Sequence, residues 1–384
     1  MISASLFSDK WPIVKLGDVV NFLDHKRVPV TKADRTPGDY QYYGANGSQG
    51  TINDYIFDEP LVLLAEDGGN FGHETRSIAY IARGKYWVNN HAHVLQPKEC
   101  IDLEYLFRVL ARYDVTPFIK GATRAKLSKT DASRIPIPLP PLETQKQIAE
   151  VLEKADQLRE DCQQMEQELN SLAQSVFIDM FGDPVTNPKG WDMKALSDLA
   201  IIVTGNTPSR AKPEYYGSYI EWIKSGNINT PSDYLTIAEE YLSESGKKVG
   251  RVVQSGSVLM TCIAGSPDCI GNVAIADREV AFNQQINALV PIEKKLNTDF
   301  LYILLKVAKK IIQSASTNSM KGMISKSKLE SIQLPFPSYD EQCDFSAIYR
   351  KLQKVVKEQQ KQVIETELMF NSLMQKAFKG ELTL

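Results

Sequence analysis

A chain of 384 residues, 43% apolar and 24% charged, is long enough for two or three domains with real cores and has the make-up of a folded globular protein. No apolar run approaches the roughly 18 residues that a membrane-spanning helix needs, and five scattered cysteines make no disulfide framework. A net charge of −3 by itself argues against a nucleic-acid binder, though the distribution of the charge matters more.

Residues 1–10 read as a flexible lead. The opening stretch MISASLFSDKWPIVKL lacks a charged start followed by an apolar core, so it is not a signal peptide and a cytoplasmic chain is expected. A first globular segment, 11–134, opens on Trp11, Leu16 and Asp18 in a W-x4-L-x-D pattern. Short strands and turns follow. YYGANGSQG is a turn cluster, 61–64 is a buried strand, and 77–81 with 84–88 read as a hairpin-like pair. VNNHAHVL returns to strand, with His91 and His93 on one face, and 103–113 has helical periodicity. The prolines Pro136, Pro138, Pro140 and Pro141 then force an extended leader.

From Leu142 to about Met180 there is neither Pro nor Gly, and apolar or small residues recur at Ile148, Val151, Ala155, Leu158, Cys162, Met165, Leu169, Leu172 and Val176. Steps of three and four define a heptad seam on a helix that needs a partner. This leader and spacer helix occupies 135–183, with 3 Lys and Arg against 10 Asp and Glu. A second globular segment, 184–331, opens on Trp191, Leu196 and Asp198, the same pattern 180 residues on. Its strands and turns include TGNTPS, YIEWIKSGNI and the run 282–289, placed where 90–95 falls in the first segment.

The partner helix lies in 332–384. Ile135, Pro138, Pro140, Glu143 and Gln145 match Ile332, Pro335, Pro337, Asp340 and Gln342 at an offset of 197. Asn170, Leu172 and Phe177 match Asn371, Leu373 and Phe378 at 201, so the second copy carries four extra residues. Its seam reads Phe345, Ile348, Leu352, Val355, Gln359, Val363, Thr366, Phe370, Leu373 and Ala377. The steps of four and four around Gln359 predict a stutter that locally unwinds the coil.

The two leaders, IPIPLPPLETQKQI and IQLPFPSYDEQCDF, each running into a long helix, together with the paired W-x4-L-x-D openings, resemble the specificity subunit of type I restriction-modification systems. The resemblance runs from about Trp11 to Leu382. It implies an α+β chain with two mixed α/β target recognition domains, separated by two long helices in an antiparallel coiled coil. Each domain would read one half of a bipartite double-stranded DNA site. The helices would set the spacing and dock methyltransferase subunits, two per chain, and restriction subunits through them. Such a chain is non-catalytic, and S-adenosylmethionine and ATP would belong to its partners. A fused methyltransferase–nuclease partner remains an alternative.

DNA contacts call for Arg or Lys on guanine, Asn or Gln on adenine, and hydroxyls on phosphate. Residues of these types lie in turns beside strands: Asn46, Gln49, His91, Arg124 and Lys126 in the first segment, and Thr207, Ser209, Arg210, Lys224, Asn227 and Lys321 in the second. No methyltransferase tetrad and no phosphate loop occurs. Asp268, Glu293 and Lys295 can be read as a metal-dependent nuclease set, but such short patterns arise by chance and a solvated loop is the simpler reading. His91 and His93 alone do not fill a metal shell, nor do Cys262 and Cys269, so no metal is expected.

Overall fold

The computed structural model describes residues 3–7, 9–73, 76–120, 125–316 and 322–382. The chain divides into two compact units, Met1–Gln163 with Lys361–Leu384, and Gln164–Gln360. Each unit holds one globular segment, the start of the long helix that follows it, and the end of the other long helix.

In the first unit a four-stranded antiparallel sheet runs in the order Val20–Phe22, Ala92–Pro97, Leu61–Ala65, Ala79–Ala82. A smaller sheet pairs Tyr40–Gly44 antiparallel with Gly47–Ile52 and parallel with Tyr86–Val88. Side chains alternate across a strand. Val62 and Leu64 therefore join the core under the helix Leu103–Ala111, while Leu61 and Leu63 join a second core with Tyr86 and Val88. Burial on both faces explains why this strand is an unbroken apolar run. The expected hairpin between 77–81 and 84–88 does not form. Ala79–Ala82 pairs with Leu61–Ala65, and the chain then crosses at Gly84 (φ 69°) to the other sheet. Proximity in sequence suggested pairing where the chain was changing sheets.

The second unit repeats the plan. Ala200–Thr204, Ile286–Pro291, Val258–Thr261 and Val273–Ile275 form the antiparallel sheet, and Ile220–Ile223 lies parallel to Val280–Phe282. The two repeated sequence signatures prove to be one structure. The strand after Trp11, Ile13–Lys15, pairs with the proline leader Pro136–Pro138, and Asp192–Ala195 pairs with Gln333–Phe336. Each ladder has only two strands, so the prolines cost no interior ladder hydrogen bond. The lead is not loose where it is described: Phe7 packs on Tyr113 and Phe378, and Lys10 Nζ donates to the Gly380 carbonyl.

The long helices span Leu142–Phe181 and Tyr339–Phe378, 40 residues each, about 60 Å at 1.5 Å per residue. In the first unit Ile148, Leu152 and Ala155 share a core with Phe370, Met374, Ala377 and Phe378. In the second, Ala173, Phe177 and Phe181 share a core with Phe345 and Tyr349. Within each unit the start of one helix lies beside the end of the other, so they run antiparallel.

The seam differs from the one expected. Leu158, Met165 and Leu172 are 47%, 51% and 43% exposed, and Ile348 and Val355 are exposed as well. Ile148, Phe345 and Phe370 are buried as expected; Val151, Leu169, Leu352, Val363 and Leu373 are half-buried. In the middle of the first helix the inward face is polar. Arg159 bridges Asp156 (2.7 Å) and Glu367 (3.3 Å), while Arg108 pairs with Asp156, and Arg112 with Glu367 and Asn371. Burial pushes the Asp156 carboxyl up, but hydrogen bonds and charge from Arg159 and Arg108 outweigh it and hold it below the usual carboxylate range. A seam traced by apolarity misses an interface filled by ion pairs.

The stutter is also absent. Phe345, Tyr349, Leu352, Val356, Gln359, Val363, Thr366, Phe370, Leu373 and Ala377 are buried or half-buried, and their steps alternate four and three without a break. The four extra residues do not lengthen the second helix. It stops at Phe378, the match of Phe177, whereas the first helix runs on to Phe181.

Candidate nucleic-acid interface

In each unit the parallel strand pair ends at a turn leading into an inner strand of the four-stranded sheet. Asn89 begins this turn in the first unit and Asn283 in the second, 194 residues apart, and both are buried. The Asn89 N–H donates to the Tyr43 carbonyl (3.0 Å) and its Oδ1 accepts from the His91 N–H (2.8 Å). Asn283 repeats this with the Ile223 carbonyl (3.0 Å) and the Gln285 N–H (3.0 Å).

The described candidates of the first unit gather around this turn. Gln49 Oε1 accepts from Asn89 Nδ2 (3.2 Å), and Asn46, exposed in the tight turn between Tyr40–Gly44 and Gly47–Ile52, donates to the Gly68 carbonyl (2.9 Å). His91 Nδ1 lies 2.5 Å from Asp67 Oδ1, and Lys126, whose backbone pairs with Asp67, reaches Glu66 (3.0 Å). His91 and His93 do not share a strand face. His91 stands in the turn, one residue before the strand Ala92–Pro97 begins. His93 is inside the sheet, 1% exposed, with Nδ1 2.7 Å from Asp24 and Nε2 2.8 Å from the Leu127 carbonyl.

This interior is charged. Arg27 Nη1 donates to Glu66 (2.7 Å), and the Val94 N–H donates to Asp24 (2.9 Å). Burial pushes both carboxyls up, but His93 and the Val94 amide at Asp24, and Arg27 and Lys126 at Glu66, hold them below the usual carboxylate range. Asp24, Glu66 and His93 are a converging set of metal-ligating groups, but their lone pairs already face Arg27, Lys126 and the Val94 amide. In the second unit Cys262 stands in the place of Glu66. The Glu66 N–H bonds the His91 carbonyl, and the Cys262 N–H bonds the Gln285 carbonyl. Asn287 and Thr204 complete a neutral version, Thr204 Oγ1 donating to Asn287 Oδ1 at 2.7 Å, and burial pushes the Cys262 thiol up to about 11.

Among the second unit's candidates, Arg210 and Lys224 share Glu240, Arg210 at 2.7 Å. Hydrogen bonds from Lys224 and Arg210 hold that carboxyl low. Arg210 also lies over the rings of Tyr216 and Trp222, 4.3 and 5.1 Å from their centroids. Thr207 donates to Gln284 Oε1. Ser209 is exposed, and its carbonyl accepts from the Lys212 N–H. Asn227 is engaged in folding: Oδ1 takes the Lys224 N–H (3.0 Å) and Nδ2 donates to Thr236 Oγ1 and the Ile237 carbonyl. Arg124 and Lys321 lie outside the described residues.

Of the nuclease set, Asp268 lies in a 3-10 turn whose carbonyl anchors Lys309 (2.7 Å), and the Lys295 carbonyl anchors Gln342 (3.3 Å). Among the described residues, Asp268 and Glu293 belong to no converging group of metal-ligating side chains.

Sequence reasoning missed Asn89, Asn283, Gln284 and Gln285. The run 282–289 was matched to 90–95, but the match began at Asn90, one residue past Asn89, so the pairing of Asn89 with Asn283 at an offset of 194 was not read.

The family model described as type I restriction modification DNA specificity domain matches residues 8–171 and again 188–366. A putative type I restriction enzyme specificity subunit, S.HindORF215P of Haemophilus influenzae, is 40% identical over 138 residues, 36% of this chain and 35% of that protein. The chain thus aligns with about a third of that relative's length. The MjaVIII specificity subunit of Methanocaldococcus jannaschii is 22% identical over 97% of this chain and 93% of its own. Among solved structures, the type I restriction-modification S subunit from M. genitalium superposes with a TM-score of 0.59 at 14% identity, covering 96% of each chain. A chain from a structure of type I system assembly and conformational transition gives 0.59 at 18%, covering 98% of this chain and 99% of its own. These likenesses fix the fold.

Proposed function

The chain belongs to the type I restriction modification DNA specificity family, and from that premise we propose that it is the DNA-reading subunit of such a system, working in the cytoplasm where the DNA is. Each unit reads one half of a bipartite site, and the long helices set the gap between the halves. One observation carries this reading. The chain builds the same parallel strand pair and asparagine turn twice, and puts different polar side chains on the two copies. A constant frame with altered surface residues is what reading two different half-sites requires.

The charge distribution supports the division of labour. Residues 1–134 and 184–338, which hold the globular segments, carry 17 Lys and Arg against 16 Asp and Glu, and 17 against 14, while 135–183 is acidic. Phosphates would repel the first helix and accept the domains. Leu158, Met165 and Leu172 recur every seven residues on one exposed helix face, with Ile348 and Val355 likewise on the other helix. We assign these stripes to docking of methyltransferase subunits, two per chain, through which restriction subunits join. The chain itself is non-catalytic; S-adenosylmethionine and ATP belong to those partners. Replacing residues 11–134 by the matching segment of another specificity chain tests the reading: one half of the modified sequence should change and the other should stay. A change in both halves, or in neither, would sink it.

A further inference from the structure

The turn built twice leaves its middle residue outside. Asn89 and Asn283 are buried and tied by their own N–H and Oδ1 to backbone on either side. The residue after each is exposed, Asn90 in one unit and Gln284 in the other, and both carry a carboxamide. A glycine lies against each turn. A Cβ on Gly44 would run into the Gln49 amide and stand 3.0 Å from Asn89 Nδ2, and one on Gly205 would run into the Asn283 carbonyl oxygen. Cations stand close by in sequence and structure. Lys126 pairs with Glu66, whose N–H bonds the His91 carbonyl, and Lys224 follows Ile223, whose carbonyl holds the Asn283 N–H.

We infer that Asn90 and Gln284 are the specificity-determining side chains of the two units, each reading an adenine edge in the major groove. The inference rests on the proposed function and narrows it to two residues. A carboxamide sets one acceptor beside one donor, matching adenine N6–H and N7, whereas a guanidinium or ammonium suits guanine. Thr207 orients the Gln284 head by donating to Oε1. That oxygen keeps a second lone pair for N6–H, and Nε2 is left to donate to N7. Asn89 and Asn283 are positioning residues that act through the turn.

The test co-expresses the full chain with its methyltransferase partner in a methylation-free host and maps the modified sequences. The wild type is compared with Asn90→Ala, Asn90→Asp, Gln284→Ala and Gln284→Glu. Each alanine variant should lose a preference of roughly five- to hundredfold for adenine at one position of one half, with the other half intact. The acidic variants should move that position toward cytosine, whose N4–H a carboxylate accepts. Asn283→Ala should blur the same position as Gln284→Ala, and Asn283→Asp, which keeps the Oδ1 acceptor, should restore it; loss of fold alone would lower modification without altering one base. A bipartite wild-type motif that none of the Asn90 and Gln284 variants alters overturns the inference and leaves the function standing. A wild type without a bipartite motif overturns both.

Discussion

Gln145 joins the first globular segment to the start of the long helix, and its removal is open to calculation. The side chain is fully buried. Its Oε1 accepts from the N–H of Asp102, the cap of the helix Leu103–Ala111, at 2.8 Å. Its Nε2 donates to the carbonyls of Cys100 (3.0 Å) and Pro140 (2.9 Å). Gln145→Ala strips partners from one N–H and two carbonyls, of which the Pro140 carbonyl is buried and the other two groups are part-buried. At about 1–3 kcal/mol per bare buried group, less for carbonyls that tolerate partial satisfaction, the loss is about 4 kcal/mol. For a unit of this size that lowers Tm by roughly 8–16 °C. Gln342 makes the same three bonds in the second unit, to the Asn297 N–H (2.9 Å) and the Lys295 and Pro337 carbonyls (3.3 and 3.1 Å). Its longer bonds predict a smaller loss for Gln342→Ala. Differential scanning calorimetry on the whole chain reads both. A Tm within about 2 °C of wild type for Gln145→Ala would refute the claim that these glutamines fasten domain to helix.

Substituting Leu158, Met165 and Leu172 together by Ser should leave unfolding within about 0.5 kcal/mol per site yet weaken methyltransferase binding at least tenfold in surface plasmon resonance; unchanged binding removes the docking stripe. Deleting Val356–Gln359 takes the buried Val356 and Gln359 out of the second unit and turns the helix there by about 40°. That unit should melt earlier, and an unaltered melt would mean that the helix register does not matter there. The Asp24 and Glu66 carboxyls are held below their ordinary range. Their stabilisation is therefore present at neutral pH and is lost as pH falls below about 4 through the folded values. Asp24→Asn should lower stability at pH 7 and flatten that acid limb in denaturant titrations, and a limb as steep as wild type would exclude Asp24 from it.

Much of the architecture was legible because it was duplicated. The proline leaders and tryptophan openings, read separately as repeats, pair with one another in space, and the matched Gln145 and Gln342 proved to be equivalent anchors. The seam was less legible. Leu158, Met165 and Leu172 looked like its core because they are apolar, while the inward face there belongs to Asp156 and Arg159. The candidate site was readable in composition but not in commitment. Lys126, Arg210 and Lys224 carry the right charge, yet each is held by a carboxylate, and Asn227 is engaged in its own turn. The buried Asn89 and Asn283 resembled ordinary loop residues until the backbone partners appeared.

In the proposed function two units read two halves of a site across a fixed gap. Mapping every modified base in a methylation-free host carrying this chain and its methyltransferase tests it most directly. One motif of two specified halves, separated by an unspecified spacer of constant length, is expected. A single continuous motif, or halves at variable spacing, would contradict it.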